Sequence, residues 1–321
     1  HGQCVISRSR EAIALGIPMG IPTFKMTKEM KKATLITASH DLYGEISEEV
    51  MDVLKEFSPK VEVYSIDEAF LDVTQYLKLY NRKEEYSKMV DKVEAKKYVA
   101  EIIGEKYIIP TYGVWNNFDD ISFDQLPDKF ILKCTHDSGR VFICNGKSKF
   151  DFKEAKKNIS ARLKINYYKY GREWVYKDVK PRIIAEKLLT NKDNSPAIDY
   201  KFYCYGGKPI YFMYSVGEAD HNVKNHKFDM NLKSIDHLFK KQVAIAETDI
   251  VLPDNMSEMI EVVKKLCVGF PHIRVDLYNV DGKIYFGELT FYTSSGFIHI
   301  DSEEYSDYLA SLIDLSEIKR E

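Results

Sequence analysis

The sequence has no long hydrophobic run, no surplus of charge of either sign and few cysteines. A helix that crosses a bilayer needs about 20 consecutive apolar residues, and no segment approaches that length, so we expect no membrane span. Lys and Arg number 46 against 49 Asp and Glu, and neither the first 82 residues nor the remainder is basic. Because nucleic-acid binding draws its affinity from a basic surface, we do not expect nucleic acid as a partner.

The five cysteines are odd in number, widely spaced and include no Cys-x-x-Cys pair. Disulfide frameworks and zinc sites need paired or closely spaced cysteines. We therefore expect free thiols in a reducing compartment, which places the protein in the cytoplasm.

What the sequence has in quantity is apolar and aromatic side chains, since 45% of the 321 residues are hydrophobic and 13% are aromatic. This composition excludes intrinsic disorder, and the length is enough for two or three domains. The elements predicted below favour an α+β fold of mainly antiparallel sheets with helices on their faces.

The first 75 residues contain two predicted helices, over 8–16 and 47–57, and then alternating apolar and polar residues over 61–74. The alternation predicts two strands with Asp67 and Glu68 at their junction. Residues 76–92 are charged, rich in tyrosine and free of Gly and Pro, which fits a linker or a solvated helix. We predict a first domain over 1–75, a linker over 76–92 and a second domain over 93–321.

The second domain is predicted to contain several helices and strands. The helices cover 93–103, 153–168 and 257–266, and the strands cover 130–134, 141–144, 182–188, 274–278 and 284–290, with a hairpin over 200–214. Asp281-Gly282 joins the last two strands, and this dipeptide is a strong hairpin signal.

Two carboxylates stand out on the last hairpin, Asp276 and Glu288. If they share one face, they form a hard oxygen site suited to magnesium, which keeps water ligands and takes others from nucleotide phosphates. The same pattern is also typical of solvent-facing residues in an amphipathic hairpin, so it does not decide the question alone.

Three other features favour a nucleotide site. Lys133 ends an apolar strand before a polar turn, where an ammonium group can meet a phosphate held by backbone N–H groups. A second apolar strand ends in Glu186-Lys187, and Asp199 and Lys201 alternate along the next strand.

In this order the motifs resemble those of the ATP-grasp superfamily. Residues from about 86 to 310 are most similar to its TupA-like branch, which is associated with the synthesis of cell-surface polysaccharide, capsule and teichuronopeptide in the cell envelope. The resemblance is carried by IIPTYGVWNNFDDISFDQLPDKFILKCTHDSG, YYKYGREWVYKDVKPRIIAEKLL, DYKFYCYGGKP and GFPHIRVDLYNVDGKIYFGELTFYTSSGF.

The resemblance implies an ATP-dependent carboxylate–amine ligase that forms an acylphosphate, releases ADP and uses ATP and Mg²⁺. Its substrates would be small-molecule or saccharide carboxylates and amines. Lys133 would contact the α- and β-phosphates beside Ser138 and Gly139 of the polar turn. Glu186 would accept from the adenine amino group.

Further roles follow from the same resemblance. The backbone of Lys187 and Leu189 would complete the purine contacts. Asp199 would hold the ribose, and Lys201 would face the phosphates.

The resemblance also assigns the reacting centre. Asp276 and Glu288 would bind magnesium, and Arg274 would stabilise the oxyanion of the tetrahedral intermediate. Two positions depart from the family pattern: Thr290 stands where Asn is usual in the metal motif, and Arg140 follows Gly139 where a second small residue is usual. Residues 171–174 are a candidate for the side that faces the acceptor.

The first 75 residues resemble something unrelated, the fingers and palm of Y-family translesion polymerases of the UmuC type. CVISRSREAIALGIPMGIPTFK and YGEISEEVMDVLKEFSPKVEVYSIDEAFLDVT carry this resemblance. Asp67 and Glu68 match the acidic pair that holds magnesium for nucleotidyl transfer in that family, as a vestigial site here. The family's other metal-binding Asp would lie before His1, and the domains that grip DNA are replaced, so we expect no polymerase activity.

Three functions stay open at this point. The first is an ATP-grasp ligase that carries a polymerase fragment. The second is a DNA-repair protein with an accessory C-terminal module, and the third is a non-catalytic polysaccharide-binding protein.

Overall fold

A computed structural model of the chain describes residues 4–5, 7–36, 45–50, 52, 62–63, 69–70, 77–78, 80–138, 141–216, 224–239, 250–296, 300–316 and 318. The chain divides into two compact units, His1–Leu71 and Asp72–Glu321. Over the described ranges, no helix combines the length and the apolar character that a membrane span requires. All five cysteines lie in these ranges and are free thiols.

The first unit contains short elements. Helix α1, Arg10–Ala14, begins after Ser9, whose hydroxyl accepts a hydrogen bond from the backbone N–H of Ala12 and so caps the helix. Residues 45–50 are also helical, and β1, Glu62–Val63, pairs antiparallel with β2, Ala69–Phe70. These elements agree with the predicted helices and strand pair, whereas Asp67 and Glu68 lie outside the described residues.

The second unit carries most of the regular structure. Its helices are α2 (Glu85–Val90), α3 (Glu94–Ile103), α4 (Phe152–Arg162), α5 (Tyr168–Gly171), α6 (Met256–Leu266) and α7 (Glu303–Ser311). Its strands are β3 (Thr111–Trp115), β4 (Lys129–Cys134), β5 (Phe142–Asn145), β6 (Ile183–Lys187), β7 (Ile198–Tyr205), β8 (Lys208–Val216), β9 (Lys224–Asp229), β10 (His272–Val280) and β11 (Lys283–Thr290). The predicted mixture of helices and antiparallel sheets is confirmed.

The smaller sheet of this unit has the order β3-β6-β4-β5, and every pair is antiparallel. Alternate residues of its strands, among them Phe130 and Leu132, form a core with Ala155 and Ile159 of α4. Because successive side chains of a strand point to opposite faces, the intervening residues lie on the other face. That face carries Lys133 and Glu186.

The larger sheet has the order β11-β10-β7-β8-β9 and is also antiparallel. One face is apolar and packs against α2, α3 and α6, with Phe202, Val275 and Leu289 buried in the shared core. The opposite face carries the charged residues of β7, β10 and β11, which include Lys201 and Asp276.

The prediction of a linker over 76–92 is wrong for its described part. Leu77, Tyr86, Met89 and Val90 are buried in the core of the second unit, and the Tyr86 ring packs 4.4 Å from that of Phe291 between centroids. Lys83, Glu84, Glu85 and Lys88 are exposed on or next to a short helix, and these charges hid its apolar face.

The predicted helix over 153–168 is also too long. Helix α4 ends at Arg162, where the buried Nε2 of His136 lies 3.2 Å from the carbonyl oxygens of both Arg162 and Ile165. An imidazole N–H in this position satisfies helix-terminal carbonyls, so the end of α4 depends on a residue distant in sequence.

Candidate active site

The charged face of the larger sheet depends on a β-bulge between β10 and β11. Near their turn the strands pair in the register set by Asp281-Gly282, with Leu277 opposite Phe286. Continued unchanged, that register would place Glu288 on the face opposite to Asp276. Instead it shifts by one residue, so that Asp276 pairs with Glu288 and the two carboxylates share one face.

Gly287 is the residue that the bulge inserts. A Cβ atom at this position would lie 3.0 Å from the carbonyl oxygen of Asp276 and 3.1 Å from the ring of Tyr278. The close approach of β10 therefore favours glycine here.

Arg274 joins the two carboxylates. Its Nε and Nη2 donate to Oδ1 and Oδ2 of Asp276 at 2.7 and 2.6 Å, and Nη2 also donates to Oε1 of Glu288 at 2.7 Å. The Asp276 side chain is 3% exposed, whereas that of Glu288 is 39% exposed. Asp276 thus anchors the guanidinium, while Glu288 remains accessible to a ligand.

The pKa values of the two acids differ in direction. Burial raises the pKa of Asp276, although Arg274 and Lys201 oppose the effect. Desolvation also acts to raise the pKa of Glu288, but the charges of Arg274 and Lys92 outweigh it, so this pKa is lowered. Glu288 is therefore the acid whose ionised form is better supported by its surroundings.

Lys201 and Asp199 extend this cluster onto β7. Lys201 lies opposite Asp276 in the sheet register, and its Nζ is 3.5 Å from Asp276 Oδ2 and in contact with Asp199. Both side chains are largely buried. The predicted ribose and phosphate ligands thus stand beside the predicted metal ligands.

The oxygen donors of this face suit magnesium. Thr290 Oγ1 donates to Glu288 Oε1 at 3.0 Å, which places a hydroxyl oxygen beside the two carboxylates. Three carboxylates, those of Asp199, Asp276 and Glu288, lie on this face. Mg²⁺ prefers hard oxygen ligands, and Thr290 supplies such an oxygen where the resemblance stated above implies Asn.

The smaller sheet contributes a buried ion cluster around Glu186. The two carboxylate oxygens of Glu186 contact Nζ of Lys96 and of Lys133, and only 3% of the Glu186 side chain is exposed. Burial acts to raise the pKa of Glu186, but the two lysines outweigh it, so the pKa is lowered. The structure thus brings Lys133 and Glu186 together and adds Lys96, which the sequence analysis missed.

Lys92 is a second residue that the sequence analysis missed. Burial lowers its pKa, and the charges of Glu288, Lys133, Asp137 and Glu186 all act on it. Lys92 lies in the turn before α3, and its Nζ donates to the carbonyl oxygen of Asp137 after β4. Because Lys92 precedes the helix, its spacing from Lys96 gave no helix-face signal, and only the tertiary structure reveals its burial.

The position of α3 is fixed by Asp91 and Arg182. The Asp91 carboxylate accepts from the backbone N–H of Val93 at 2.8 Å, and the Arg182 Nη2 donates to both Asp91 oxygens at 2.9 Å. Because Arg182 precedes β6, this pair connects the start of the helix that bears Lys96 to the strand that bears Glu186.

The polar turn after β4 is partly described. Ser138 is exposed, and the preceding Asp137 is bound by Arg162, with 2.7 Å between Asp137 Oδ2 and the guanidinium. The carbonyl oxygen of Asp137 accepts from Lys92. Gly139 lies outside the described residues.

The predicted purine end lies after β6. Leu189 is buried with Ile109 and Tyr285 in a small apolar cluster, in which Leu189 follows β6, Ile109 precedes β3 and Tyr285 belongs to β11. The backbone N–H of Lys187 donates to Pro110 O at 3.0 Å. The predicted purine contacts thus lie beside an apolar cluster, and apolar side chains line most ligand sites.

Three matches concern the N-terminal part of the chain. Residues 1–104 match the model of the impB/mucB/samB family. Protein UmuC of Salmonella typhimurium is 44% identical over 73 residues, which are 22% of this chain and 17% of that protein. DNA polymerase IV of Metallosphaera sedula is 30% identical over 113 residues, 35% of this chain and 30% of that protein. The chain thus spans a minor part of these relatives.

Solved structures similar to the chain include two ligases. The D-alanine–D-alanine ligase of Bacillus anthracis is 17% identical with a TM-score of 0.38, over 70% of this chain and 66% of that one. The ATP-grasp ligase PsnB, complexed with its minimal precursor, Mg and ADP, is 13% identical with a TM-score of 0.38, over 73% of this chain and 61% of that one.

The assignment of the second unit rests on its sequence. Residues 72–314, which are most of the chain, match the model described as TupA-like ATPgrasp. They contain the aligned acids of the larger sheet and the buried lysines of the smaller one. The chain therefore belongs to the TupA-like ATP-grasp family.

Proposed function

We propose that the second unit is an ATP-dependent ligase that joins a carboxylate to an amine and releases ADP. The observation that carries this proposal is the arrangement of Asp276, Glu288 and Arg274 on one sheet face, with Lys92, Lys96 and Lys133 near it. Carboxylates for a divalent cation beside several cations for phosphate are the requirements of phosphoryl transfer from a nucleotide.

The nucleotide roles proposed are those that the family resemblance implies, with Lys92 added. Lys133 and Lys92 bind the phosphates together with Ser138, Gly139 and Lys201. The purine lies against Leu189 and the backbone of Lys187. Glu186 accepts from the adenine amino group; its carboxylate oxygens offer about four lone-pair sites, so it can do so while it keeps both lysines. Asp199 binds the ribose.

The reacting centre lies on the larger sheet. Asp276, Glu288 and Thr290 would hold Mg²⁺, which when bound neutralises charge on the transferring phosphoryl group. A carboxylate oxygen of the first substrate attacks the γ-phosphorus, the bond to the β-phosphate oxygen breaks, and ADP leaves. The amine then attacks the acylphosphate carbon, Arg274 stabilises the oxyanion, and inorganic phosphate departs.

The substrates proposed are a saccharide or other small-molecule carboxylate and an amine, within the synthesis of cell-surface polysaccharide, capsule or teichuronopeptide. This finer assignment is supported by membership of the TupA-like family alone. The four buried free thiols support a reducing compartment, the cytoplasm, as the place of action.

A DNA-repair role is the second candidate, and the similarity of residues 1–104 to the impB/mucB/samB family favours it. We propose instead that the His1–Leu71 unit is separate from the ligase and has no polymerase activity. Primer extension on a damaged template by the whole chain would decide for the repair role.

The ligase proposal is tested by nucleotide turnover. The purified chain is incubated with ATP, Mg²⁺ and hydroxylamine, together with a panel of uronic acids and amino acids as carboxylates. Hydroxylamine traps an acylphosphate as a hydroxamate, so we expect carboxylate-dependent hydroxamate and equimolar ADP. Release of AMP and pyrophosphate would refute the proposed chemistry.

A further inference from the structure

A second polar cluster includes Glu173 of the 171–174 segment, which the sequence names as a candidate for the acceptor side and to which the proposed function gives no chemical role. It consists of Glu173, Ser295 and Lys78. The Ser295 Oγ donates to Glu173 Oε1 at 2.8 Å, and the Lys78 Nζ donates to the carbonyl oxygen of Ser295 at 3.2 Å. The three residues come from the start of the second unit, the segment after α5 and the segment after β11, so only the tertiary fold assembles them.

The cluster is buried. Glu173 is 9% exposed and Lys78 is 8% exposed. Ion-forming groups are rarely buried to this degree unless they are paired, and here the Ser295 hydroxyl donates to the Glu173 carboxylate while the Lys78 ammonium donates to the Ser295 carbonyl oxygen. The arrangement holds Glu173 in one orientation.

The backbone on both sides of the Glu173–Ser295 contact is constrained. A Cβ atom at Gly171 would lie 2.9 Å from both Glu173 Oε1 and Ser295 Oγ, so glycine is what allows the two to meet. Arg172, Ser294 and Ser295 have φ values of 52°, 53° and 55°, a region that non-glycine residues seldom occupy. Such conformations persist where the surrounding structure enforces them, and they cluster at functional sites.

Charged groups of the proposed reacting centre also affect the pKa of Glu173. Burial raises the pKa of Glu173, the hydrogen bond from Ser295 and the charge of Lys78 oppose this effect, and the charges of Glu288 and Arg274 act on it as well. Glu173 thus lies within electrostatic range of the groups proposed to hold the metal and the oxyanion. A carboxylate with a raised pKa is better matched to accept a proton at neutral pH than an ordinary one.

We propose that Glu173 is the general base that takes the proton from the amine substrate, and that Ser295 and Lys78 are positioning residues for it. This inference rests on the proposed function. It assigns the acceptor side of the site to the segments around residues 173 and 295.

In this step the amine attacks the acylphosphate carbon and gives up one proton to Glu173. The lone pair of the neutral amine forms the N–C bond to the acylphosphate carbon, and the carbonyl π electrons move to the oxygen beside Arg274. The Glu173 carboxylate takes one N–H proton from the resulting ammonium centre. The oxyanion then reforms the carbonyl as the C–O bond to phosphate breaks, which yields the amide, inorganic phosphate and a protonated Glu173 that returns its proton to solvent.

The test compares two small nucleophiles, ammonia and hydroxylamine, with ATP, Mg²⁺ and D-glucuronate or D-galacturonate as the carboxylate. Hydroxylamine is much the weaker base, so its attack depends less on proton removal. In Glu173→Gln we expect amide formation from ammonia to fall by about 10²-fold or more, while hydroxamate formation changes by no more than about threefold. Glu173→Asp should recover part of the loss, and Ser295→Ala should show a smaller loss with the same selectivity for ammonia.

Glu101→Gln is the matched control, since Glu101 is an exposed acid on α3 outside the site. An equal fall for both nucleophiles in Glu173→Gln, or no fall for either, would overturn the role of base. The role of base would also be overturned if the unchanged chain made hydroxamate but no amide from ammonia. If the unchanged chain makes no hydroxamate with any carboxylate, the proposed function fails first and this inference fails with it.

Discussion

Replacement of Glu186 by Gln tests whether the buried ion cluster of the smaller sheet holds the structure together. The side chain of Glu186 is 3% exposed, and those of Lys96 and Lys133 are 12% and 19% exposed. The substitution keeps the shape of the side chain and removes its charge, so two largely buried ammonium groups lose their counter-charge.

The magnitude follows from this burial. Breaking a buried ion pair from one side costs about 3–5 kcal/mol, and we expect the lower end, about 3 kcal/mol, because both lysines retain some contact with solvent. For a unit of this size, each kcal/mol lowers the melting temperature by about 2–4 °C. Glu186→Gln should therefore melt about 6–12 °C below the unchanged chain.

The assay is calorimetric unfolding of the whole chain, with Glu261→Gln as the control. Glu261 pairs with Lys264 at 64% and 54% exposure, and such a surface pair is worth about 0.5 kcal/mol or less. The double variant Glu186→Gln/Lys96→Met removes one of the unpaired charges and should recover part of the lost stability. A loss in Glu186→Gln no greater than that of the control, or no recovery in the double variant, would refute the reasoning.

The contribution of the Glu186 ion cluster to the stability of the folded chain depends on pH. The pKa of Glu186 is lowered in the folded chain, whereas in the unfolded chain it is near the ordinary glutamate value of about 4.3. Its stabilising effect is therefore complete above about pH 4.3 and is lost as the pH falls through the lower folded pKa. The difference in stability between the unchanged chain and Glu186→Gln should shrink over that acidic range.

Three further predictions concern the site and the division of the chain. Asp276→Asn and Glu288→Gln should each lower turnover, measured by ADP release, by about 10²-fold or more. The ATP dissociation constant, measured by calorimetric titration, should change much less. Near-normal turnover in both variants would place the reacting centre elsewhere. ATP should bind at least about tenfold tighter than GTP, because guanine presents an oxygen to the acceptors at 186–189 and leaves them unpaired. Equal affinities would show that this strand end does not recognise adenine. Deletion of residues 1–71 should leave the ATP affinity unchanged, and its loss would show that the first unit is part of the nucleotide site.

The sequence was informative wherever a local signal was strong. Asp281-Gly282 predicted the last hairpin, an apolar run predicted the strand that carries Lys133, and the motif order predicted the ATP-grasp family. Weaker signals failed: β3 contains a glycine and β9 is mostly polar, so neither was predicted, and the stretch that contains α2 was taken as a linker although a solvated helix also fitted it. Lys92 and Lys96 were missed because an isolated lysine in a turn or on a helix is usually solvated, and the importance of these two depends on burial.

The hairpin of Asp276 and Glu288 shows where local information ends. The sequence by itself determined the two strands, their turn and the acids they carry, since these depend on alternation and on a dipeptide that adopts a tight turn. A regular two-residue hairpin would nevertheless have put the acids on opposite faces. The tertiary structure brought them together through the bulge at Gly287, whose close contact with β10 is a packing property. In the same way, Glu186 pairs with two lysines and Glu173 contacts Ser295 because segments distant in sequence pack together. No local pattern encodes this packing.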